Sequence, residues 1–403
     1  MAGDAPVPTQ RVIPRIREVH LRNYKSIGDA VVRLSDFNVL VGPNGSGKSN
    51  FMDALAFMRD CLTQPVGVAA AAHRGIVMPG SGRSVGIRLI VDLESGTADY
   101  GFEAFVESDE WSVVSERFTH VAANGAVHAY SVRDGRLLEA IPGIHPALAA
   151  DRLVLSAASS LIEFRPLYDF LAGIRLYAIE PARLREMSEP STGSALLEDG
   201  GNAAKVLSRL QHQNLETQAR INRVLATVVP DLAYVGAVSL AGRWGLYVSE
   251  KHPGGPEPFS SVSMSDGTLR MLGLLLAVYQ PSTPTVLLIE EPEATIHPAA
   301  ADVVMAVLMD AAHRSQVMIS THSPDVLDYK DLADESILIV SKKDGATRID
   351  PLGAASRGVI QRHLSTPGEL LRINELNADA AEPELAKARD FFAPVSGTVG
   401  EAA

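Results

Sequence analysis

The sequence predicts an α/β fold with a mixed sheet, flanking helices and an inserted α+β region. A glycine-rich loop, GPNGSGKS, stands between an apolar run and a helix-compatible segment within residues 38–55. From residue 267 onward, apolar strands alternate with helices, which is typical of a mainly parallel sheet. Residues 85–132 instead follow an alternating strand pattern broken by SGT and NG turn signals, as antiparallel strands do.

The N-terminal part of the chain is predicted to carry two strands ahead of the glycine-rich loop. They cover residues 16–24 and 31–41 around a turn at residues 26–29, and the second strand leads directly into the loop. The helix after the loop is predicted over residues 51–62. Residues 146–230 then have a helical pattern.

The C-terminal half is predicted to complete the main sheet. Helices are expected over residues 267–279 and 298–313, with strands over 285–290 and 316–320 and another at SILIV. A hairpin made of AYVGAVSL and WGLYVSE precedes them, and the loop KHPGGPEPFS marks a boundary. The predicted units are an N-terminal lobe at 1–84, an inserted antiparallel-sheet and helical region at 85–255, a C-terminal lobe at 256–365 and a helical, partly disordered tail at 366–403.

Composition limits the classes to which this chain can belong. It has 403 residues, one cysteine and a formal net charge of −12, which excludes an internal disulfide and a uniformly basic surface for nucleic acid. Its longest apolar stretches are far shorter than a membrane span, and its start lacks the apolar core of a signal peptide. We therefore expect a cytoplasmic protein that does not enter a membrane.

The loop from Gly42 to Ser49 matches the Gly-x-x-x-x-Gly-Lys-Ser pattern of a phosphate-binding loop. Gly42, Gly45 and Gly47 are expected to allow positive-φ turns that point backbone N–H groups at phosphate oxygens. Lys48 is expected to reach the β- and γ-phosphates of a nucleotide, and Ser49 to bind Mg²⁺. The alternative is a glycine-rich turn without a ligand. The residues predicted to contact the nucleotide here are Gly42, Asn44, Gly45, Ser46, Gly47, Lys48, Ser49 and Asn50.

Two carboxylates end another apolar run, TVLLIEEPE, at residues 285–293. Such a run predicts a strand buried on both faces, so Glu290 and Glu291 would emerge at the sheet edge where ligands bind. We expect Glu290 to hold Mg²⁺ through water and Glu291 to polarise the water that attacks the γ-phosphate. Paired acids at a strand end are otherwise ordinary solvated loop residues.

His322 ends the next apolar strand, in the segment ISTHSP. An imidazole there is expected to donate a hydrogen bond to the γ-phosphate and so to report whether that phosphate is still attached. A lone histidine is more often structural, but its position one strand after the acid pair favours a functional role. The predicted catalytic residues are therefore Lys48, Glu291 and His322.

The segment SVSMSDGTLRMLGLLLAV, residues 261–278, predicts a helix that begins near Ser265, Asp266 and Gly267. Hydroxyl and backbone donors at such a helix start can bind an anion. Because the chain already has a phosphate loop for its own nucleotide, this second site is predicted to cap the nucleotide of another subunit. A simple helix cap by Ser265 is the alternative, and the two roles are compatible.

Together these motifs resemble those of the ABC-type ATPase superfamily, and more closely its stand-alone prokaryotic AAA-named, OLD-like and RecF-like predicted ATPases. The resemblance rests on NYKSI ahead of GPNGSGKSN, SMSDGTLRML as the signature helix, LLIEEPEATIHP as the Walker B segment and ISTHSP as the switch histidine. It implies a P-loop NTPase fold of the ABC-ATPase type that binds ATP and Mg²⁺. It also implies a head-to-tail homodimer, or a higher oligomer, with two ATP molecules held between one subunit's phosphate loop and the other's signature.

The chain departs from the family pattern in three places. The signature contains Ser-Asp-Gly-Thr where transporters have Leu-Ser-Gly-Gly-Gln, and Glu290 stands where aspartate is commoner. The family's glutamine loop has no assignable equivalent. Members of this branch often act with a separate protein effector. The resemblance therefore implies an ATP-driven switch that controls such a partner, with a role in phage defence or DNA surveillance.

A DNA-binding clamp of the recombination and repair type is the competing interpretation. Arg15, Arg17, Arg22 and Lys25 lie close together near the N-terminus, with only Glu18 as a negative charge among them. Such a strip can contact DNA phosphates, or it can be the ordinary solvated face of a strand pair. Both interpretations stay open on sequence grounds.

Overall fold

A computed structural model describes residues 13–80, 82–139, 149–189, 195–251, 253 and 257–379. No helix within these ranges is long and apolar enough to cross a membrane. The part of the predicted tail at 366–403 that follows position 379 lies outside the described residues.

The strands of the described residues form sheets of seven, six and three strands. They are β1 (Arg15–Tyr24), β2 (Ile27–Arg33), β3 (Phe37–Val41), β4 (Ser84–Leu93), β5 (Gly96–Glu107), β6 (Glu110–Ala122), β7 (Val127–Arg133), β8 (Arg136–Glu139), β9 (Ile174–Tyr177), β10 (Leu232–Leu240), β11 (Arg243–Glu250), β12 (Glu257–Ser260), β13 (Val286–Glu290), β14 (Gln316–Thr321), β15 (Ile337–Lys343) and β16 (Ala346–Pro351).

The helices of the same ranges connect these strands. They are α1 (Lys48–Thr63), α2 (Val66–His73), α3 (Val154–Ala158), α4 (Arg165–Ala172), α5 (Pro181–Arg185), α6 (Ala203–Gln213), α7 (Leu215–Val228), α8 (Asp266–Tyr279), α9 (Ala301–Ala312), α10 (Pro324–Leu327), α11 (Ala354–Gln361) and α12 (Pro367–Arg372). Short 3₁₀ turns occur at Ser261–Ser263, Pro298–Ala300 and Asp334–Ser336.

The six-stranded sheet has the order β16-β15-β3-β14-β13-β9. All neighbours in it are parallel except β15 and β16, so the sheet is mixed and the predicted α/β class is confirmed. Val41 of β3 lies opposite Thr321 of β14, and Glu290 of β13 lies opposite Ser320. The carboxyl ends of β3, β14 and β13 therefore meet at one edge, which carries the phosphate loop, the switch histidine and the acid pair.

This sheet separates two hydrophobic cores because alternate residues of each strand point to opposite faces. Leu40 and Leu288 belong to a core shared with α1, α3, α4 and the seven-stranded sheet. Val39 and Ile289 belong to a second core shared with α6, α7, α8 and α9. Burial on both faces explains why β3, β13 and β14 are nearly continuous apolar runs.

The seven-stranded sheet is antiparallel throughout, in the order β2-β1-β4-β5-β6-β7-β8. Its strand β4 pairs with β1, with Leu89 opposite Val19, so the sheet spans the boundary predicted between residues 84 and 85. The four units drawn from the sequence remain a prediction. The described strands tie the first unit to the second by backbone hydrogen bonds.

The single strand predicted over residues 31–41 is wrong, because β2 ends at Arg33 and β3 begins at Phe37. Asn38 closes the turn between them: its Oδ1 accepts a hydrogen bond from the Ser35 N–H at 2.8 Å, and its Nδ2 donates to the Ser35 carbonyl at 2.7 Å. Asparagine commonly stabilises a turn in this way. The turn lets β2 stay in the antiparallel sheet while β3 enters the mixed sheet.

The helical pattern predicted over residues 146–230 contains a strand, β9, that sequence reasoning missed. Four residues are too few to establish a periodicity. Tertiary pairing fixes this strand instead: Tyr177 lies opposite Ile289 in a parallel ladder with β13. Strand β16 was missed as well, although Asp344 and Gly345 ahead of it, both with positive φ, form the Asp-Gly hairpin signal.

A buried carboxylate joins the antiparallel sheet to the helices beneath it. Glu116 on β6 accepts hydrogen bonds from the hydroxyls of Tyr100, at 3.0 Å, and Tyr130, at 2.7 Å. It also accepts from the backbone N–H groups of Val154 and Leu155 at the start of α3. Burial raises the pKa of Glu116, while these four donors act in the opposite direction. The carboxylate thereby caps a short helix that has no cap of its own.

Candidate nucleotide site

The phosphate loop runs from the end of β3 into α1. Gly45 and Gly47 adopt φ angles of 75° and 112°, the left-handed region that favours glycine. Gly42 does not, so that part of the prediction is wrong. A Cβ atom at Gly42 would lie 2.0 Å from the carbonyl oxygen of Val340, so glycine is required there by the close approach of β15.

Two hydroxyl side chains brace the loop from the C-terminal hairpin and from the β1–β2 turn. Thr347 on β16 donates its Oγ1 hydrogen to the Ser46 carbonyl at 2.7 Å, and its Oγ1 lies 2.7 Å from Ser26 Oγ. Asn50 Nδ2 donates to Ser26 Oγ at 2.7 Å, so the structure places the Asn50 amide against this brace. Sequence reasoning did not single out Ser26 or Thr347, although Ser26 lies within NYKSI.

Lys48, the first residue of α1, points back over the loop. Its ammonium donates hydrogen bonds to the carbonyls of Gly42, at 2.7 Å, and Pro43, at 3.1 Å. Burial lowers the pKa of Lys48, and nearby carboxylates, Glu291 foremost, act in the opposite direction. The ammonium thus lies between the loop and the acids of β13, where nucleotide phosphates would meet it.

The acid pair lies at the end of β13. Glu291 has a φ of 42°, which is uncommon for a residue with a side chain, and its N–H donates to the Ser320 carbonyl at 3.0 Å. His322 Nδ1 lies 3.4 Å from Glu291 Oε1. His322 is exposed and Glu291 is half-buried at the sheet edge, where the structure brings the predicted base and the switch histidine together. Uncommon backbone conformations of this kind occur frequently at functional sites.

Glu293 is a site residue that sequence reasoning missed. Thr321 donates its hydroxyl to Glu293 Oε1 at 2.5 Å and accepts a hydrogen bond from the Ser323 N–H at 2.9 Å. These bonds fix the backbone on both sides of His322. Burial raises the pKa of Glu293, whose other oxygen is buried without a partner. The repeated acids of EEPE were the available signal, since a third carboxylate follows the pair.

The signature segment lies at the start of α8. Ser265 Oγ accepts a hydrogen bond from the Thr268 N–H at 3.1 Å, so Ser265 is the helix cap. Ser265 and Asp266 are exposed. A Cβ atom at Gly267 would lie 2.7 Å from the carbonyl oxygen of Thr295, so the helix start packs closely on the loop that follows the acid pair.

The remaining loop residues fit a nucleotide bound with Mg²⁺. Ser46 Oγ is buried and has no hydrogen-bond partner, whereas Asn44 and Ser49 are exposed. A phosphate oxygen could satisfy that hydroxyl. Among the described residues, no group of three or more His, Cys, Asp or Glu could hold a metal ion. Mg²⁺ can fit such a site because it takes only one or two protein oxygens together with phosphates and water, and the Ser49 hydroxyl and Glu290 would be the residues that hold it. The bound ion would neutralise part of the phosphate charge.

A charged cluster anchors α1 behind the loop. His73 Nδ1 lies 2.7 Å from Asp53 Oδ1, and His73 Nε2 lies 2.9 Å from Asp60 Oδ2. Asp53 also accepts a hydrogen bond from the Tyr24 hydroxyl at 2.6 Å and pairs with Lys25 Nζ at 2.5 Å. Burial alone would lower the pKa of His73, but the two carboxylates outweigh it and raise the pKa to about 9.

Stability should therefore depend on the charge of His73. Because its pKa is higher in the folded state, the stabilisation is complete below its ordinary pKa of 6.5 and is lost as the pH rises through about 9. We expect the free energy of unfolding, measured by urea titration, to fall across this interval and to fall much less in His73→Gln. The exposed His313→Gln variant is the control and should retain the wild-type profile. An unchanged profile in His73→Gln would show that another group titrates.

The basic strip near the N-terminus is largely occupied by ion pairs within the chain. Arg15 Nη1 lies 2.8 Å from Asp36 Oδ1, and Arg17 Nη1 lies 3.3 Å from Asp92 Oδ1. Lys25 pairs with the α1 carboxylate Asp53 described above. These carboxylates reduce the positive charge that the strip presents to DNA.

Two protein families match the chain. Residues 15–92 match a family described as an AAA ATPase domain. Residues 147–328 match a family described as an AAA domain, putative AbiEii toxin, Type IV TA system. The first match contains the phosphate loop, and the second contains the signature helix, the acid pair and His322. All site residues predicted from the sequence therefore lie within the two matched segments.

Short segments are similar to named proteins. A segment of 44 residues is 46% identical to the chromosome partition protein Smc of Methanococcus voltae, covering 11% of this chain and 4% of that protein. A segment of 47 residues is 51% identical to the DNA replication and repair protein RecF of Porphyromonas gingivalis, covering 11% of this chain and 13% of that protein. The chain thus matches only a small part of the length of either relative.

The fold is similar to that of an SMC head. The crystal structure of the SmcHead bound to the C-winged helix domain of ScpA superposes with a TM-score of 0.52 and 17% identity, covering 85% of this chain and 99% of that chain. At this identity the likeness concerns the fold, which is that of a P-loop NTPase. With the two family matches, it leads to the conclusion that this chain has a P-loop NTPase fold and that its segments 15–92 and 147–328 are similar to AAA ATPase domains.

Proposed function

We propose that this chain hydrolyses ATP and acts as a molecular switch, in which two copies close head to tail over two ATP molecules and hydrolysis opens them again. The observation that carries the proposal is the meeting of Lys48, Glu291 and His322 at one sheet edge, while the signature of the same chain faces outward. In this proposal the phosphate loop, the base and the γ-phosphate sensor contact one side of the nucleotide, and its exposed side is left for a cap. A second copy can supply that cap.

The chemistry follows from the positions of these groups. Glu291 accepts a proton from the water whose oxygen attacks the γ-phosphorus, and ADP leaves as the bond to the β-phosphate oxygen breaks. Lys48 offsets negative charge on the transferred group. His322 contacts the same group from the neighbouring strand, held by the Thr321 and Glu293 hydrogen bond at 2.5 Å.

The exposed surface around the signature supports a cap in trans. Ser265 and Asp266 are exposed, and Val262, three residues before Ser265, has 68% of its surface exposed to solvent. A single exposed valine is an ordinary surface feature, but the exposed start of α8 is open to a partner. We propose that this partner is a second copy of the chain.

The switch is proposed to control a separate protein effector. The description of the family that matches residues 147–328 names a putative toxin of a toxin–antitoxin system, which is a system of two components. This supports an action through a partner, and a role in phage defence is proposed on the same ground. The DNA-clamp alternative draws on the names of the Smc and RecF relatives, but the ion pairs of Arg15, Arg17 and Lys25 give it no further support.

The first experiment measures the molar mass of Glu291→Gln by light scattering, with and without Mg-ATP. We expect the mass to double with ATP, because the variant binds ATP but hydrolyses it slowly and so accumulates the closed dimer. Adding Ser265→Arg to this variant places a bulky cation at the proposed cap and should block the doubling without loss of ATP binding.

Two results would count against the dimer. A mass that stays monomeric at saturating ATP would contradict closure of two copies by ATP. A doubling that persists with Ser265→Arg would show that the signature of the second copy does not cap the nucleotide. Steady-state hydrolysis by Ser265→Arg alone provides an independent measurement, since dimer-dependent turnover should be lost.

A further inference from the structure

The signature places a negative charge, that of Asp266, beside its proposed phosphate-binding donors. Asp266 is the first residue of α8, and its side chain has 57% of its surface exposed. An acid in the first turn stabilises the helix. However, it also places a negative charge beside the donors that are proposed to receive a phosphate, and like charges a few ångströms apart repel.

One arginine, which belongs to none of the sequence motifs, offsets this negative charge. Arg185, the last residue of α5, donates from Nη2 to Asp266 Oδ1 at 2.6 Å and to the Met264 carbonyl at 2.8 Å. A single guanidinium thus neutralises the carboxylate and holds the backbone just before the cap residue. Its side chain has 28% of its surface exposed, so water screens this contact less than at an open surface.

Arg185 also connects the signature to the sheet edge that carries the chain's own phosphate loop and acid pair. Helix α5 follows β9, whose Tyr177 lies beside Ile289, one residue before the acid pair. Ile179 lies between β9 and α5 in the chain and packs directly on α8. A Cβ atom at Gly273 of α8 would lie 2.6 Å from Ile179 Cγ2. The segment from Tyr177 to Arg185 therefore runs from this sheet edge along α8 and ends at the signature.

We infer that Arg185 is a positioning residue that neutralises Asp266 and holds the signature in the conformation that receives the nucleotide of the partner subunit. This inference rests on the dimer proposed above. Both hydrogen bonds of the Arg185 guanidinium described above go to the signature segment, and neither goes to the phosphate loop. Its loss should therefore affect dimer-dependent turnover and leave the first nucleotide-binding step intact.

The test is a double-mutant cycle of Arg185→Ala and Asp266→Asn, with ATP hydrolysis and binding of a fluorescent ATP analogue as readouts. We expect Arg185→Ala to lower turnover about 10- to 100-fold in the wild-type background, the usual range for loss of a charge-assisted hydrogen bond. In the Asp266→Asn background the same change should cost less than about threefold, because no charge remains to be neutralised. Affinity for the analogue should stay within about twofold in all four proteins.

Arg183→Ala is the matched control. Arg183 lies on the same short helix but pairs with Asp199 at 2.8 Å and Glu186 at 2.5 Å, away from α8. The Arg183→Ala variant should hydrolyse ATP at the wild-type rate. A salt titration adds a second readout, since the defect of Arg185→Ala should shrink as ionic strength rises.

The outcomes separate this inference from the proposed dimer. If Ser265→Arg blocks turnover but Arg185→Ala does not lower it, the dimer stands and the role of Arg185 is wrong. If Arg185→Ala costs the same in both backgrounds, Arg185 acts on the fold of the loop and not on the charge of Asp266. If Ser265→Arg hydrolyses ATP normally, the proposed dimer itself fails, whatever the cycle shows.

Discussion

Replacing Lys48 by alanine should lower the affinity for ATP by at least about 100-fold, because the variant would lose the charge-assisted hydrogen bonds that we propose between this ammonium and the β- and γ-phosphates. The ammonium already lies over the loop, where it donates to the carbonyls of Gly42 and Pro43. No other lysine lies in the phosphate loop. Equilibrium titration with a fluorescent ATP analogue measures the effect.

The Lys48→Ala variant should remain folded. Burial already lowers the pKa of Lys48, so the folded chain gains little from keeping this charge in place. Thermal unfolding checks this point, and the exposed Lys342→Ala variant controls for the loss of one positive charge. ATP affinity equal to that of Lys342→Ala in a folded Lys48→Ala protein would remove Lys48 from the site.

Replacing Glu291 by glutamine should lower the rate of ATP hydrolysis by about 100- to 10,000-fold, the usual contribution of a general base. Glutamine keeps the shape of the side chain and can still occupy the uncommon backbone conformation, whose φ is 42°. ATP binding should therefore be retained. Single-turnover hydrolysis separates the chemical step from binding and from product release.

A matched variant distinguishes a base from a simple charge. Glu291→Asp keeps the carboxylate but shortens it by one methylene, and should retain more activity than Glu291→Gln. Turnover in Glu291→Gln within about threefold of wild type would exclude Glu291 as the base, because proton transfer contributes far more than that. Loss of ATP binding in the variant would instead indicate a role in the ground state.

The parts of the molecule that could be predicted are those whose structure depends on residues close together in the sequence. The apolar runs of β3, β13 and β14 predicted a parallel core because strands buried on both faces must be apolar throughout. The loop between β3 and α1 could be predicted because its glycines, lysine and serine follow the fixed spacing of a phosphate-binding loop.

The missed parts depend on contacts between distant residues. Thr347 braces the phosphate loop from 301 positions away, so no window of sequence contains both partners. Glycine at position 42 is required by the close approach of β15, not by its own backbone conformation. Arg185 meets Asp266 only because β9 joins the edge of the mixed sheet, and β9 is too short to be predicted from its own residues.

Strand β3 lies between β14 and β15, and this arrangement bears on how the protein is made. The motif at residues 42–49 leaves the ribosome early, but both neighbouring strands of β3 are encoded after residue 315. Gln316 reinforces this dependence, since its side chain bonds the backbone of Ile16 at 2.8 Å across 300 positions. Such long-range pairing slows folding. A nascent chain therefore displays its nucleotide motif long before the two strands that flank β3 have been made, so the mixed sheet around the motif forms only after residue 343 has left the ribosome.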